Sequence, residues 1–384
     1  MCNTELGKFC KGHVDWQELL VQEPYYLKIK EDDPYTMFSY DQIHSNFNIK
    51  LVREARGIIF RTGEWEQPVC WAFNKFGNFE ESYAPNIDWN TAFVTEKIDG
   101  SLMKVWWDGE WHISTNGCID AFKAEINNIK MPNFGCYFLE ALGKYYSSFD
   151  EFVSGLETQC TYMFELVGPY NRVVVPYEKP DLYFLGARNK FTGEEYLPIP
   201  ANASKLGVGF FKRPAIYSLS SLDDCIKAAE LKTWDDEGFV VADAHNNRVK
   251  IKSPAYVLAH FMRNNSAITR KHLIRVILEN ETAEFLCYAA DYKDVLEEAQ
   301  GLMNAYCNIG NRLAASCRTT ATILHKGDYA RLVKTFPAIF QGLLFMNYDR
   351  DVTVEEYTSN WNENKWDTYL ESFEELMKDL YIKK

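Results

Sequence analysis

The ten residues Phe93-Val-Thr-Glu-Lys-Ile-Asp-Gly-Ser-Leu102 constrain this chain most. The apolar run Ala92-Phe93-Val94 reads as a short buried strand. The chain then delivers Lys97, turns at Asp99-Gly100 and resumes as a strand from Leu102 to Trp107. A lysine at the tip of a strand, beside an acid and a turn glycine, is held rigidly and presented to a cleft. That placement suits a nucleophilic amine, which must sit near its target and lose its proton before attack. A free lysine titrates at about 10.4, so only on the order of one in a thousand is neutral near pH 7. Neighbouring cations or a metal ion lower that barrier. An ordinary surface hairpin fits the same stretch, and the rest of the chain has to decide between them.

Further charges of the right kind recur on separate strands. Arg56 precedes a predicted buried strand, Gly57–Phe60, and Lys75 stands among the aromatic residues of Cys70–Phe79. Arginine offers a phosphate a forked donor, and lysine offers a point charge. A clean hairpin follows Lys97: Met103–Trp107 and Glu110–Ser114 flank the turn pair Asp108-Gly109. Glu165 lies in the middle of the otherwise apolar strand Thr161–Gly168. A carboxylate there is costly without a partner, which a salt bridge, a ligand hydroxyl or a metal could supply. A second hairpin joins Glu237–Asp243 to Arg248–Ser253. The two-residue period of a strand puts Lys250 and Lys252 on one face and Val249 and Ile251 on the other. Two like charges side by side repel, and a phosphate or nearby carboxylates would relieve them. Together these pieces form a set suited to nucleotidyl transfer: a lysine to attack the α-phosphorus, cations for the developing charge, and acids for a metal and the ribose.

In this order the sequence resembles the covalent nucleotidyltransferases, the polynucleotide ligases and RNA capping enzymes. Lys97-Ile-Asp-Gly100, Phe164-Glu-Leu-Val, Glu237-Gly-Phe-Val and Lys250-Ile-Lys252 stand as motifs I, III or IIIa, IV and V. The finer resemblance is to the phage-type RNA ligase 1 family, the anticodon-loop repair ligases. It also draws on Glu54-Ala-Arg-Gly-Ile-Ile-Phe60, Lys75-Phe-Gly-Asn-Phe79 and Phe164–Arg172, and it covers roughly residues 35–260. The resemblance implies an α+β adenylyltransferase domain of antiparallel sheets flanked by helices. It implies an ATP-dependent RNA ligase that joins 5′-phosphate and 3′-hydroxyl ends through lysyl-AMP and an RNA-adenylate, in RNA or tRNA repair. Lys97 would carry AMP, Glu165 would hold its ribose, and Glu237 would act on the metal or its bound water. Lys250 and Lys252 would contact the α-phosphate and the pyrophosphate or substrate, with Arg56 and Lys75 as further phosphate contacts. Asp99 would set the turn and the lysine or metal surroundings. Magnesium is the implied ion, with manganese as a substitute. The implied partners are RNA ends, nicked tRNA among the candidates, and an end-healing kinase or phosphatase. Two positions depart from the pattern. Ile98 stands where close phage relatives carry an acid, and Asn116 stands where such ligases often have a lysine.

From Tyr256 onward helical periodicity takes over, at Val257–Met262, Arg270–Leu278, Tyr292–Met303, Tyr329–Phe340 and Glu355–Leu380. The expected division is a nucleotidyltransferase domain over 1–260 and an all-helical domain over 261–384, the latter a candidate for RNA specificity. Capping guanylyltransferases and DNA ligases, the alternatives with the same chemistry, usually carry a β-barrel at this point. An RNA-binding module that kept the fold without the chemistry is the alternative of another class. A short helix is expected at Asp15–Gln22, helices at Ile119–Lys130 and Tyr137–Glu157, and strands at Tyr25–Lys30 and Tyr35–Tyr40 around Asp33-Pro34. The ten cysteines include no Cys-x-x-Cys pair, which fits reduced thiols in a cytoplasmic protein, host cytoplasm if viral. No apolar stretch of about 18 residues is present for a membrane helix. The net charge of −13 argues against a broad nucleic-acid-coating surface, so a bound polyanion requires a local basic groove.

Overall fold

The computed structural model describes residues 4–126, 128–262 and 268–382. The chain divides into two compact units, Met1–His260 and Phe261–Lys384. In chain order the first holds strands β1 (Leu27–Asp32), β2 (Tyr35–Tyr40), β3 (Arg56–Arg61), β4 (Phe93–Glu96), β5 (Ser101–Trp107), β6 (Trp111–Thr115), β7 (Cys160–Val167), β8 (Asp181–Asn189), β9 (Glu195–Tyr196), β10 (Ile216–Tyr217), β11 (Gly238–Ala242) and β12 (Arg248–Lys252). They form three sheets, β1-β2-β3, β10-β4-β11-β12 and β6-β5-β7-β8-β9. Every pairing of named strands is antiparallel.

Each sheet buries one face against helices. Leu6 and Cys10, on the helix Glu5–Gly12, pack with Phe38, Ile58 and Phe60 of the first sheet. In the second sheet the residues Phe239, Val241, Val249 and Ile251 alternate inward to meet Cys225 and Ala229 of the helix Leu222–Glu230. The five-stranded sheet sets Met103, Val105, Tyr162 and Phe164 against Tyr137, Phe138 and Phe152. Phe164 and Phe211 pack edge to face at 4.9 Å, and a buried side chain of that size contributes about 1.5–3 kcal/mol. The other face of the third sheet is largely covered as well, with Trp106 against Tyr35, Met37 and Ile59 of the first sheet and Leu102 and Met163 against Ala72 and Phe73.

Two sequence expectations fail between β6 and β7. Instead of a helix over Ile119–Lys130, a single 3-10 turn stands at Ala121–Lys123, capped by Asp120, and Glu125 bridges Asn133. The helix expected over Tyr137–Glu157 is two helices, Phe134–Leu142 and Phe149–Val153. Asn133 and Ser148 each accept a backbone N–H as N-caps and so define two separate starts.

The second unit is helical throughout its described residues. A 29-residue helix, Lys293–Ala321, runs through it. Tyr306 of that helix lies among Phe340, Trp366 and Phe373, with ring centroids 5.0 to 5.8 Å away. Two of the expected helices, Tyr329–Phe340 and Glu355–Leu380, are interrupted. Pro337 begins a new helix, Ala338–Met346, and a capping box at Thr353 and Glu356 opens Val354–Thr358 ahead of Glu363–Ile382.

Candidate active site

The register of the second sheet decides which side chains meet. Phe93 pairs with Ala242 and Val240 with Thr95, while across the sheet Arg248 pairs with Ala242, Lys250 with Val240 and Lys252 with Gly238. Cross-strand partners share a face, so Lys250 and Lys252 lie on the side opposite the Phe239 and Ile251 core. Phe93, Thr95, Val240, Ala242 and Arg248 on that side line a cavity of about 280 Å³. Lys97, Ile98, Gly100, Leu102, Arg56, Asn116 and Glu165 also line it, while Glu237, Lys250 and Lys252 stand outside its lining.

Lys97 follows directly from β4. Its backbone N–H donates to the Gly238 carbonyl at 2.9 Å, which ties the nucleophile's peptide to β11. Gly238 has φ +123, and a Cβ there would lie 2.2 Å from the Ile251 carbonyl oxygen, so only glycine fits. Gly100 approaches β7 just as closely, since a Cβ would stand 2.5 Å from the Leu166 carbonyl oxygen. The Lys97 ammonium donates to Glu237 Oε2 at 2.7 Å, and Lys252 Nζ lies 4.0 Å from Glu237 Oε1. Lys97 retains 21% exposure against 6% for Glu237, so the amine can be reached while its partner is shielded.

Glu165 faces the same cavity from β7. Burial pushes its carboxyl up to about 8, opposed by the Lys97 cation and reinforced by the charges of Glu237 and Asp99. The group is thus largely neutral at pH 7, suited to a hydroxyl such as a ribose offers. Because the folded value lies above the unfolded one, its contribution to stability is complete below about 4.5 and is lost as pH rises through 8. Glu165→Gln cannot ionise. It should therefore raise the Tm of the ligand-free protein at pH 8, by on the order of 1–3 kcal/mol of stability, and have little effect at pH 5. Thermal melts at the two pH values check this, and an equal shift at both would remove the ionisation from Glu165.

Asp99 is placed to set the turn, the other role expected of it. One carboxylate oxygen accepts the N–H groups of Val174 at 2.9 Å and Val175 at 2.7 Å, and the other accepts the Tyr256 hydroxyl at 2.8 Å. Both oxygens are committed to holding the loop and helix behind the Lys97 turn. Lys75 also lies away from this cavity. Its ammonium sits over the rings of Tyr40 and Phe47, at 5.0 and 4.9 Å, and it lines a neighbouring cavity. Ile98 is buried, so an acid would be desolvated at that position.

The Arg56 guanidinium lies 5.2 Å from the Phe76 ring centroid, and its Nη1 has no hydrogen-bond partner. The buried Asn116 Oδ1 also lacks one. Two unpartnered polar atoms and three aromatic rings, Phe73, Phe76 and Phe93, in one cavity fit a nucleotide. A divalent ion fits as well. Among the described residues no group of three His, Cys, Asp or Glu could hold a metal alone, but magnesium ordinarily binds one or two carboxylates plus substrate phosphates. The Glu237 charge helps to keep a proton on Glu165, and a cation bound between them would relieve the same unfavourable field.

Two other residues of the site were not singled out from the sequence. Lys104, on β5, is fully buried, donates to the Gly57 carbonyl and is pushed down by that burial. It braces the peptide next to Arg56. Arg248 reaches the cavity from the same strand face as Lys250 and Lys252, and the two-residue period would have pointed to it.

A scan of protein-family models finds no match. A baculovirus protein (Autographa californica nuclear polyhedrosis virus), provisionally named a bifunctional polynucleotide kinase/RNA ligase, is 29% identical over 78% of this chain and 44% of its own length. An RNA ligase of a Rhodothermus phage is 27% identical over 59% of this chain and 57% of its own. The chain resembles RNA ligases. It spans about half the length of these curated relatives. The baculovirus match covers more of the chain than the first unit holds, so the likeness to that RNA ligase reaches into the helical unit. Among solved structures, an archaeal ATP-dependent RNA ligase superposes with a TM-score of 0.43 and 13% identity over 74% of each chain, too loosely to transfer residues. No described helix is long and apolar enough to cross a membrane.

Proposed function

We propose that the chain is an ATP-dependent RNA ligase that works through lysyl-AMP. The observation that carries this is Lys97 Nζ held 2.7 Å from Glu237 Oε2, in the cavity that also presents Glu165 and Arg56. Lys97 gives up a proton, with Glu237 placed to take it, and its lone pair attacks the α-phosphorus of ATP. A P–N bond forms as the bond to pyrophosphate breaks. Glu165, largely neutral, orients the ribose. Arg56, Lys250 and Lys252 face the charge that gathers on the phosphate oxygens. A 5′-phosphate of RNA then displaces Lys97 from phosphorus, giving RNA-adenylate, and the amine regains its proton. A 3′-hydroxyl attacks the 5′-phosphorus, AMP leaves, and the strand is sealed. A divalent ion, magnesium or manganese, would be held by Glu237 with the nucleotide phosphates and would neutralise charge at the α-phosphate.

The helical unit, with no strand among its described residues, favours an RNA ligase over a capping enzyme or DNA ligase. We assign it substrate selection, with nicked tRNA as one candidate. The provisional name of the baculovirus relative pairs a kinase with a ligase, which supports an end-healing partner for this chain. The free state of the eight described cysteines supports a cytoplasmic setting. The test is labelling. With magnesium and α-labelled ATP the protein should acquire a denaturation-resistant label, and α-labelled GTP should give none. A GTP label would indicate capping. If neither labels, and intact mass shows no preformed AMP adduct, the non-catalytic RNA-binding reading replaces this one.

A further inference from the structure

Beside the nucleotide cavity lies a second, of about 350 Å³, which shares Phe76 and Arg248 with it. No step above uses it. Its wall is strongly cationic, with Lys50, Arg53, Lys75, Arg188 and Arg248 against the acids Glu54 and Glu195. Of these acids only Glu195 offsets the charge, and Glu5 lies 3.9 Å from Lys50. Burial pushes the Glu54 carboxyl up, toward its neutral form. Burial also raises Glu195, but Arg248 and Arg188 outweigh it and hold that carboxyl below its usual range. One oxygen of Glu195 accepts from Arg188 and the other from Arg248, so a single negative charge fixes two guanidinium groups. Arg188 further donates to the Ala72 carbonyl at 2.7 Å and stacks over Trp71, while Arg248 stacks over Phe73. Among the described residues Arg53 and Lys75 have no carboxylate within ion-pair distance. Arg188 Nε and the Trp71 indole N–H, both buried, have no acceptor. Preorganised cations with unused donors are costly to maintain in an acidic protein unless an anion uses them.

We propose that this cavity binds a backbone or terminal phosphate of the RNA strand, next to the nucleotide site. The proposal rests on the RNA-ligase reading for its ligand. It meets the need for a local basic groove on a chain of net charge −13. The phosphate tail of ATP has the same chemistry and is the competing source. Arg53 distinguishes them, since it lines this cavity and not the nucleotide cavity.

The test uses the full chain and two readouts. A short fluorescent single-stranded RNA with a 5′-phosphate is titrated without ATP, at several salt concentrations, into wild type and Lys50→Gln/Arg53→Gln. Lysyl-AMP formation is measured on the same preparations. Affinity for RNA should fall about tenfold, and the slope of log Kd against log salt should shrink by about 0.7 per lost contact. Adduct formation should stay within about twofold of wild type. Unchanged affinity and slope overturn the proposal. Adduct loss with RNA binding intact assigns the cavity to the ATP tail and overturns it equally. If both readouts fall, the charge-keeping variant Lys50→Arg/Arg53→Lys decides, because failure to recover RNA binding there excludes a phosphate site. The two readings fail separately: no AMP label and no preformed adduct on the wild type sinks the ligase reading, whereas RNA affinity and salt slope unchanged in the variant sink this one.

Discussion

Lys97→Ala should acquire no AMP label from ATP, a loss of at least roughly 10⁴-fold or ~5.5 kcal/mol in transition-state stabilisation. No neighbour can replace the amine. Lys252 faces Glu237 from 4.0 Å but stands on β12, and Lys104 is buried and donates a hydrogen bond to the Gly57 carbonyl. Lys97→Arg should fail as completely, because a guanidinium does not deprotonate at working pH. Joining of ordinary 5′-phosphate ends should vanish with the label. Sealing of chemically pre-adenylylated RNA should survive, since the last step breaks the bond to AMP without a lysine nucleophile. That split separates a lost nucleophile from a lost fold. Residual labelling of Lys97→Ala would place the covalent bond elsewhere and dissolve the proposed mechanism.

The sequence carried much of this site because strand chemistry is local. A two-residue period is enough to put Lys250 and Lys252 on one face, and the structure's register puts that face on the cavity side. The turn at Asp99-Gly100 and the hairpin at Asp108-Gly109 are also local signals, and Gly109 takes φ +81 there. What escaped depends on long-range partners. Nothing near Glu195 foretells that it is shared by Arg188 and Arg248, the latter 53 residues away. Nothing near Lys104 foretells that its ammonium reaches back 47 residues to Gly57. The missed breaks in the helices have another cause. Apolar spacing continues across Gly143 to Ser148 and across Pro337, but backbone caps decide where a helix starts, and they outweigh periodicity. Asp99 shows the limit most clearly. Its position beside the nucleophile suggests a metal, while its three hydrogen bonds, reaching 75 to 157 residues along the chain, engage both of its oxygens.

Asp99→Ala accordingly tests position against ligation. Removing the carboxylate strands two backbone N–H groups and the Tyr256 hydroxyl, all held by a buried charge. Bonds to charged groups contribute about 1.5–3 kcal/mol each and are not additive, so a loss of on the order of 3–5 kcal/mol in stability is expected. Adduct formation should drop roughly 10²-fold or more, because the Lys97 turn is no longer pinned and small displacements of a nucleophile are expensive. If Asp99 held the metal, the defect would shrink with excess magnesium or manganese, and Tyr256→Phe would be nearly silent. If Asp99 is a clamp, metal concentration should make no difference. Tyr256→Phe, which removes one donor and touches no ligand, should then reproduce part of the loss, about 1 kcal/mol in stability, with several-fold slower adduct formation. Chemical denaturation and single-turnover adenylylation on the two variants separate these outcomes. Activity of Asp99→Ala that recovers with metal would return the carboxylate to the metal site, and the Val174, Val175 and Tyr256 bonds would then have to open when the nucleotide binds.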